Sequence, residues 1–144
     1  MKKIMVIHGP NLNSLGERQP EVYGSQTLEQ INDLIEGEAG RLNCRVEIHQ
    51  ANSEGAIVDL IQNLDRETGG IIINPGGYSH TSVAILDALL ATKVPAIEVH
   101  LSNVFRREEF RQTMVTARGV IGVISGLGSR SYLLALHYLA HPKV

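Results

Sequence analysis

The segment GGIIINPGGYSHTSVAILDALLA, residues 69–91, restricts the possible folds of the chain more than any other. Ile71, Ile72 and Ile73 form a β-branched run, and such a run suits a strand buried on both faces, as parallel sheets require. Asn74-Pro75-Gly76-Gly77 then demands a sharp turn and a close approach of backbone to something else. Ser79, His80, Thr81 and Ser82 can each cap the helix that begins near Val83. A buried strand, a glycine turn and a helix N-terminus in succession predict a small-molecule site at the carboxyl edge of a parallel sheet.

The remaining segments repeat the strand-then-helix theme. Residues 4–7 read as a first buried strand, followed by HGPNLNSLGERQPEVYG. Connections between a strand and a helix usually take 2–6 residues, so the stretch over about 9–24 is long and predicts an active-site lid; it carries Asn11, Asn13, Arg18 and Tyr23. Thr27-x-x-Gln30 is a capping box for a helix with Leu28, Ile31, Leu34 and Ile35 at helical spacing, stopped near Gly40 and Asn43. Residues 44–48 predict a second strand. Asn52 or Ser53 caps a helix with Ile57, Leu60, Ile61 and Leu64 on one face. Residues 95–99 predict a fourth strand, followed by a short charged helical piece over 106–111. Residues 120–124 predict a fifth strand, and a last helix spans about 129–139. Strands alternating with helices imply a doubly wound α/β fold, a five-stranded parallel sheet in the flavodoxin-like order 2-1-3-4-5.

Composition removes several function classes. A chain of 144 residues with 43% hydrophobic content can bury one core, so a single domain over 1–144 is expected. A net charge of −2 supplies no basic surplus for nucleic acid. Cys44 is the sole cysteine, which excludes an internal disulfide and fits a reducing compartment. No apolar run approaches the roughly 20 residues that cross a bilayer, and the first residues lack a signal-peptide core. These points predict a soluble, cytoplasmic protein without membrane contact. The six histidines show no metal spacing, Gly126-Leu127-Gly128 is too short for a dinucleotide fingerprint, and no Walker sequence occurs. Neither a metal nor a nucleotide cofactor is expected.

The polar residues near the three polar-rich connections are the candidates for chemistry. Glu98 and His100 are two apart in a strand, so both leave the same face; a carboxylate beside an imidazole suits a general acid, and equally suits a core histidine that is merely satisfied. Tyr23 acting as a base near neutrality must lose its proton far below the reference pKa of about 10, which a close guanidinium such as Arg18 favours. The alternative is an aromatic loop anchor beside a solvated arginine. Asn11, Asn74, His80 and Ser102 are neutral groups suited to a polyhydroxylated ligand, although Asn74 can instead initiate its turn and Ser102 cap a helix. Asp87 is the one charge on a helix apolar all round, which predicts burial partly against another subunit. It serves either a structural ion pair or a neighbouring subunit's ligand. Arg107 and Arg111, four apart, share a helix face, and are either solvated or binding groups for an anion.

Six motifs in order, GPNLN at 9–13, Arg18 with Tyr23-Gly24, NSEG at 52–55, INPGGYSHTS at 73–82, EVHLSN at 98–103 and REEFR at 107–111, closely resemble the type II 3-dehydroquinate dehydratase family of the shikimate pathway. The resemblance covers nearly the whole chain. It implies a lyase that removes water from 3-dehydroquinate to give 3-dehydroshikimate, without cofactor, metal or Schiff base. It further implies Tyr23 as base, Arg18 keeping it a phenolate, a water near Asn11 stabilising the enolate, and His100, oriented by Glu98, as acid. Asn74, Leu101 and Ser102 would take the substrate carboxylate, and His80, Arg111 and Asp87 the ring hydroxyls, the aspartate reaching across from an adjacent subunit. A homo-oligomer, a dodecamer built as a tetramer of trimers, is implied as well. Ser14, Gln19, Leu86 and Gln112 depart from the family's usual residues without replacing a chemical group. The rival reading is a flavodoxin-like module binding phosphate or flavin on the turn at 76–82 without catalysis.

Overall fold

A computed structural model of the chain describes residues 2–17 and 19–141. Its centre is a parallel sheet of five strands in the order β2-β1-β3-β4-β5, formed by β1 (Lys3–His8), β2 (Arg45–Gln50), β3 (Thr68–Asn74), β4 (Ala96–His100) and β5 (Gly122–Ser125). The order expected from the sequence is the one found. The connections carry α1 (Pro20–Tyr23), α2 (Leu28–Arg41), α3 (Glu54–Gln62), α4 (Val83–Ala91) and α5 (Arg130–Ala140). No helix among the described residues is long and apolar enough to cross a membrane.

Strand periodicity divides the core in two. Ile4 and Val6 of β1, Ile72 of β3, and Ile97 and Val99 of β4 face α2 and α5, meeting Ile31, Ile35, Tyr132, Leu136 and Leu139. Met5, Ile7, Ile71, Ile73 and Ala96 face α3 and α4, meeting Ile57, Ile61, Ile85 and Leu89. The three consecutive isoleucines of β3 therefore serve both layers, which is why that strand shows no polar alternation.

The helix starts are those the side chains dictate. Thr27 accepts from the Gln30 N–H while the Gln30 side chain accepts from the Thr27 N–H, completing the capping box of α2. Ser53 caps α3 and Ser82 caps α4. The long connection after β1 is not structureless: it holds a 3-10 turn, Leu12–Ser14, and α1. One expectation needs correction. The charged piece after β4 is not one helix but two 3-10 turns, Val104–Arg106 and Glu109–Gln112, with Arg107 between them. Arg107 and Arg111 therefore do not share a helix face.

Parallel pairing of β1 with β3 sets His8 beside Asn74 and brings the two following loops into contact. The Gly9 N–H donates to the Asn74 carbonyl at 2.7 Å. A Cβ at Gly9 would sit 2.6 Å from the Pro75 carbonyl carbon and 2.7 Å from the Asn74 oxygen, which is backbone that cannot step aside. Gly76 returns the contact with φ +60°, lying against Pro10. Gly9→Ala is expected to cost about 2–3 kcal/mol through overpacking. Gly37→Ala, inside α2 with open space around it, should instead stabilise by about 0.5–1 kcal/mol. Thermal unfolding of the two variants checks the opposite signs.

Candidate active site

A cavity of about 160 Å³ opens at the carboxyl ends of β1, β3 and β4. Of the residues the sequence singles out, Asn11, Tyr23, Asn74, His80, His100, Leu101, Ser102 and Arg111 line it together. Glu98 lies beneath, fully buried. Asp87 is exposed on α4 and lines no part of this cavity, and Arg18 falls outside the described residues.

The end of β4 supplies the imidazole. His100 Nε2 lies 2.7 Å from Glu98 Oε2, the two side chains leaving one face of the strand as their spacing requires. Ser79 donates to the same carboxylate oxygen at 2.7 Å, and the Thr116 hydroxyl donates to the other. Three donors converge on Glu98, the arrangement an acceptor-only carboxylate takes. His100 Nε2 is thereby committed to Glu98, so the tautomer and ring plane are set from below and the other ring nitrogen is left for proton exchange.

His80 stacks near His100, ring centroids 6.4 Å apart at 22°. Its Nδ1–H donates to the Thr113 carbonyl at 2.9 Å. Burial holds its pKa below the ordinary histidine value, and the neighbouring His100 and Arg111 push the same way. A neutral ring that donates through Nδ1 keeps Nε2 as an acceptor for a ligand hydroxyl. Arg111 is held by Glu108 at 2.6 Å.

Tyr23 stands at the end of α1 and packs partly on the core. Arg107 donates from Nη1 to the Tyr23 hydroxyl oxygen at 2.6 Å, with the guanidinium carbon 5.1 Å from the ring centroid. The Arg107 side chain is only 12% exposed, so its charge is poorly screened by water. The sequence left Arg107 between a solvated and a binding role; its tie to the phenol was not legible there, because 84 residues separate the two.

Asn11 adopts a left-handed backbone, φ 70°, and its N–H donates to the Asn52 side-chain oxygen at 3.0 Å. Gln50 donates to that same oxygen at 2.9 Å and to the Gly9 carbonyl at 3.1 Å, pinning the first loop to the end of β2. Two further residues escaped the sequence reading. Tyr132 of α5 is fully buried and joins His8 and Asn74 by hydrogen bonds of 2.9 and 3.0 Å. The available signals were a histidine ending an apolar strand and a phenol on an apolar helix face, since a buried Tyr hydroxyl requires a partner. Among the described residues no His, Cys, Asp and Glu side chains gather into a group able to hold a metal.

A flavodoxin-like sheet edge brings a guanidinium-bound phenol and an imidazole held by a buried carboxylate onto one cavity, groups of the kind that general acid–base enzymes use. Residues 2–140 match the family model described as dehydroquinase class II. The chain is 53% identical over 137 residues to a 3-dehydroquinate dehydratase of Caldanaerobacter subterraneus, covering 95% of this chain and 93% of that protein. It is 50% identical to one of Halothermothrix orenii, covering 98% and 95%. The crystal structure of type II dehydroquinase from Butyrivibrio crossotus superposes with a TM-score of 0.94 at 46% identity, covering 96% of this chain and 97% of that one. The chain belongs to the class II dehydroquinase family.

The buried His8 makes stability depend on pH. Burial lowers its pKa from 6.5 to about 4. The unfolded chain therefore binds this proton below about pH 6.5 while the native one does not, so stability is complete above that value and falls as pH drops toward 4. The full loss is about 3 kcal/mol. In urea unfolding measured across this range, His8→Asn should show a shallower decline, by one proton's worth of slope.

Proposed function

We propose that the cavity carries out the anti elimination of water from 3-dehydroquinate to 3-dehydroshikimate through an enolate, with Tyr23 as base and His100 as acid. The observation that supports this reading above all is the placement of the Arg107-bound phenol and the Glu98-held imidazole on one small cavity. The Tyr23 phenolate takes a proton from the carbon alpha to the ketone; the C–H electron pair forms the enolate carbon–carbon π bond as the carbonyl π pair moves onto the oxygen. A water near Asn11 stabilises that oxyanion. As the enolate collapses, the carbonyl re-forms, the enolate π pair becomes the new carbon–carbon double bond, and the C–O bond to the hydroxyl breaks. His100 protonates the departing oxygen, so water leaves and the imidazole ends neutral. The proton held by Tyr23 then returns to solvent or to His100, closing the cycle.

Arg107 donates directly to the Tyr23 oxygen, a hydrogen bond that the phenolate of the proposed step accepts equally. Arg18 would keep Tyr23 a phenolate, a role that rests on the family resemblance. Asn74, with the backbone of Leu101 and Ser102 and the Ser102 hydroxyl, is suited to the substrate carboxylate, and His80 and Arg111 to the ring hydroxyls. Asp87 completes the set from an adjacent subunit of a dodecamer, a tetramer of trimers. Its exposure beside Val83 and Leu90, exposed by 58% and 60%, fits a helix face that another copy covers. The connection over 9–24 acts as the lid.

Turnover is read from the ultraviolet absorbance of the conjugated enone product. Tyr23→Phe is expected to lower kcat by about 10²–10⁴-fold, the usual worth of a positioned acid or base. Arg107→Gln should lower it by about 10–100-fold, as expected for one charge-assisted hydrogen bond. Near wild-type turnover in Tyr23→Phe would remove the base from the scheme. Asp87→Asn should raise KM while leaving each subunit's own cavity intact; a wild-type chain that sediments as a fully active monomer would refute the contribution across subunits.

A further inference from the structure

Behind the cavity runs a chain of hydrogen bonds, buried at its middle, that no step of the proposed reaction uses. Asn74 Oδ1 accepts from the Gly76 N–H at 3.1 Å, and its Nδ2 donates to the Tyr132 hydroxyl oxygen at 3.0 Å. The Tyr132 oxygen lies 2.9 Å from His8 Nδ1, and His8 Nε2 lies 2.8 Å from Asn32 Oδ1. His8, Tyr132 and Asn74 are all buried. Four secondary elements contribute: α2, β1, α5 and the end of β3.

The polarity of this chain follows from its chemistry. A backbone N–H only donates, so the Asn74 atom facing Gly76 is the amide oxygen, and the other end is the NH2 group. The Tyr132 oxygen accepts from that group, which turns its own proton toward His8. His8 Nδ1 is consequently the bare, accepting nitrogen, and Nε2–H donates to Asn32. Each group has one role, and the second N–H hydrogen of Asn74 Nδ2 is left for the cavity that Asn74 lines.

We infer that His8 and Tyr132 are positioning residues for substrate recognition: they hold the Asn74 amide so that it meets the anionic group of the substrate with an N–H and never with its carbonyl. This rests on the reading above in which Asn74 receives the substrate carboxylate. With the accepting nitrogen of His8 removed, the Tyr132 proton has no acceptor but Asn74, and an amide turned to accept it sets a lone pair toward the anion. With the Tyr132 hydroxyl removed, the NH2 end loses its anchor. Both changes weaken ground-state binding of a carboxylate and leave the proton-transfer groups, Tyr23 and His100, in place.

The test measures binding of quinate and of its uncharged carboxamide by calorimetry, with steady-state kinetics beside it. The wild-type chain should prefer the carboxylate. Tyr132→Phe and His8→Leu should each reduce that preference by about 10-fold or more and raise KM comparably, the cost of one hydrogen bond to a charged group, with kcat within about 3-fold. His8→Asn places an acceptor where Nδ1 stood and should restore the preference. A wild-type chain that binds both ligands equally refutes Asn74 as the carboxylate receptor, and the inference falls with it. A wild-type preference that persists unchanged in Tyr132→Phe and His8→Leu refutes the positioning role alone. In case a variant fails to fold, nitrogen-15 NMR of histidine-labelled wild-type chain decides the polarity: His8 should carry its proton on Nε2, and a proton on Nδ1 would overturn the inference.

Discussion

Parallel pairing of β1 with β3 is the constraint from which the site follows. It sets His8 beside Asn74 at the switch point of the sheet and sends two loops off side by side. They can lie together only because Gly9 has no side chain where the Asn74–Pro75 backbone passes. The strand on the other side of β3 is β4, so Glu98 and His100 emerge next to the Asn74 turn. Three chain segments far apart in sequence thus deliver their polar ends to one edge, which helix N-termini and loops then wall in.

Two hydrogen-bonded systems of different character meet at that edge. On the α3/α4 side, Ser79, Thr116 and His100 surround Glu98, a charge-centred cluster that sets one imidazole. On the α2/α5 side, the chain through His8 and Tyr132 is neutral. Burial forbids His8 its charge and pushes the Tyr132 phenol well above its ordinary value, so neither titrates near neutrality. A charged cluster suits proton transfer, whereas a neutral one with fixed polarity suits orientation. Strand periodicity separates them: His8 and Asn74 leave the sheet on one face, Glu98 and His100 on the other.

Tyr23 stands apart because its support comes from neither system. It reaches the cavity on a short helix in the first connection, and Arg107 from the segment after β4 meets it there. A phenol carried on a connection rather than on the sheet can move with that connection while the imidazole stays fixed. The match over residues 2–140 and the relatives place the chain itself in the class II dehydroquinase family.

The strand order, the capping box at Thr27 and Gln30, a cap somewhere among residues 79–82 and the edge of the sheet where the cavity opens were legible in the sequence. Each depends on neighbours within a few residues, where periodicity and side-chain chemistry act directly. The pairing of Glu98 with His100 was legible for the same reason, a spacing of two in a strand. The hold of Arg107 on Tyr23, the split of the charged segment into two 3-10 turns, and the line from Asn32 through His8 and Tyr132 to Asn74 were not. The hydrogen bonds among these join residues 24 to 124 positions apart and depend on packing direction and depth of burial. Local propensity carries no information on either, because both are decided only when the helices close onto the sheet.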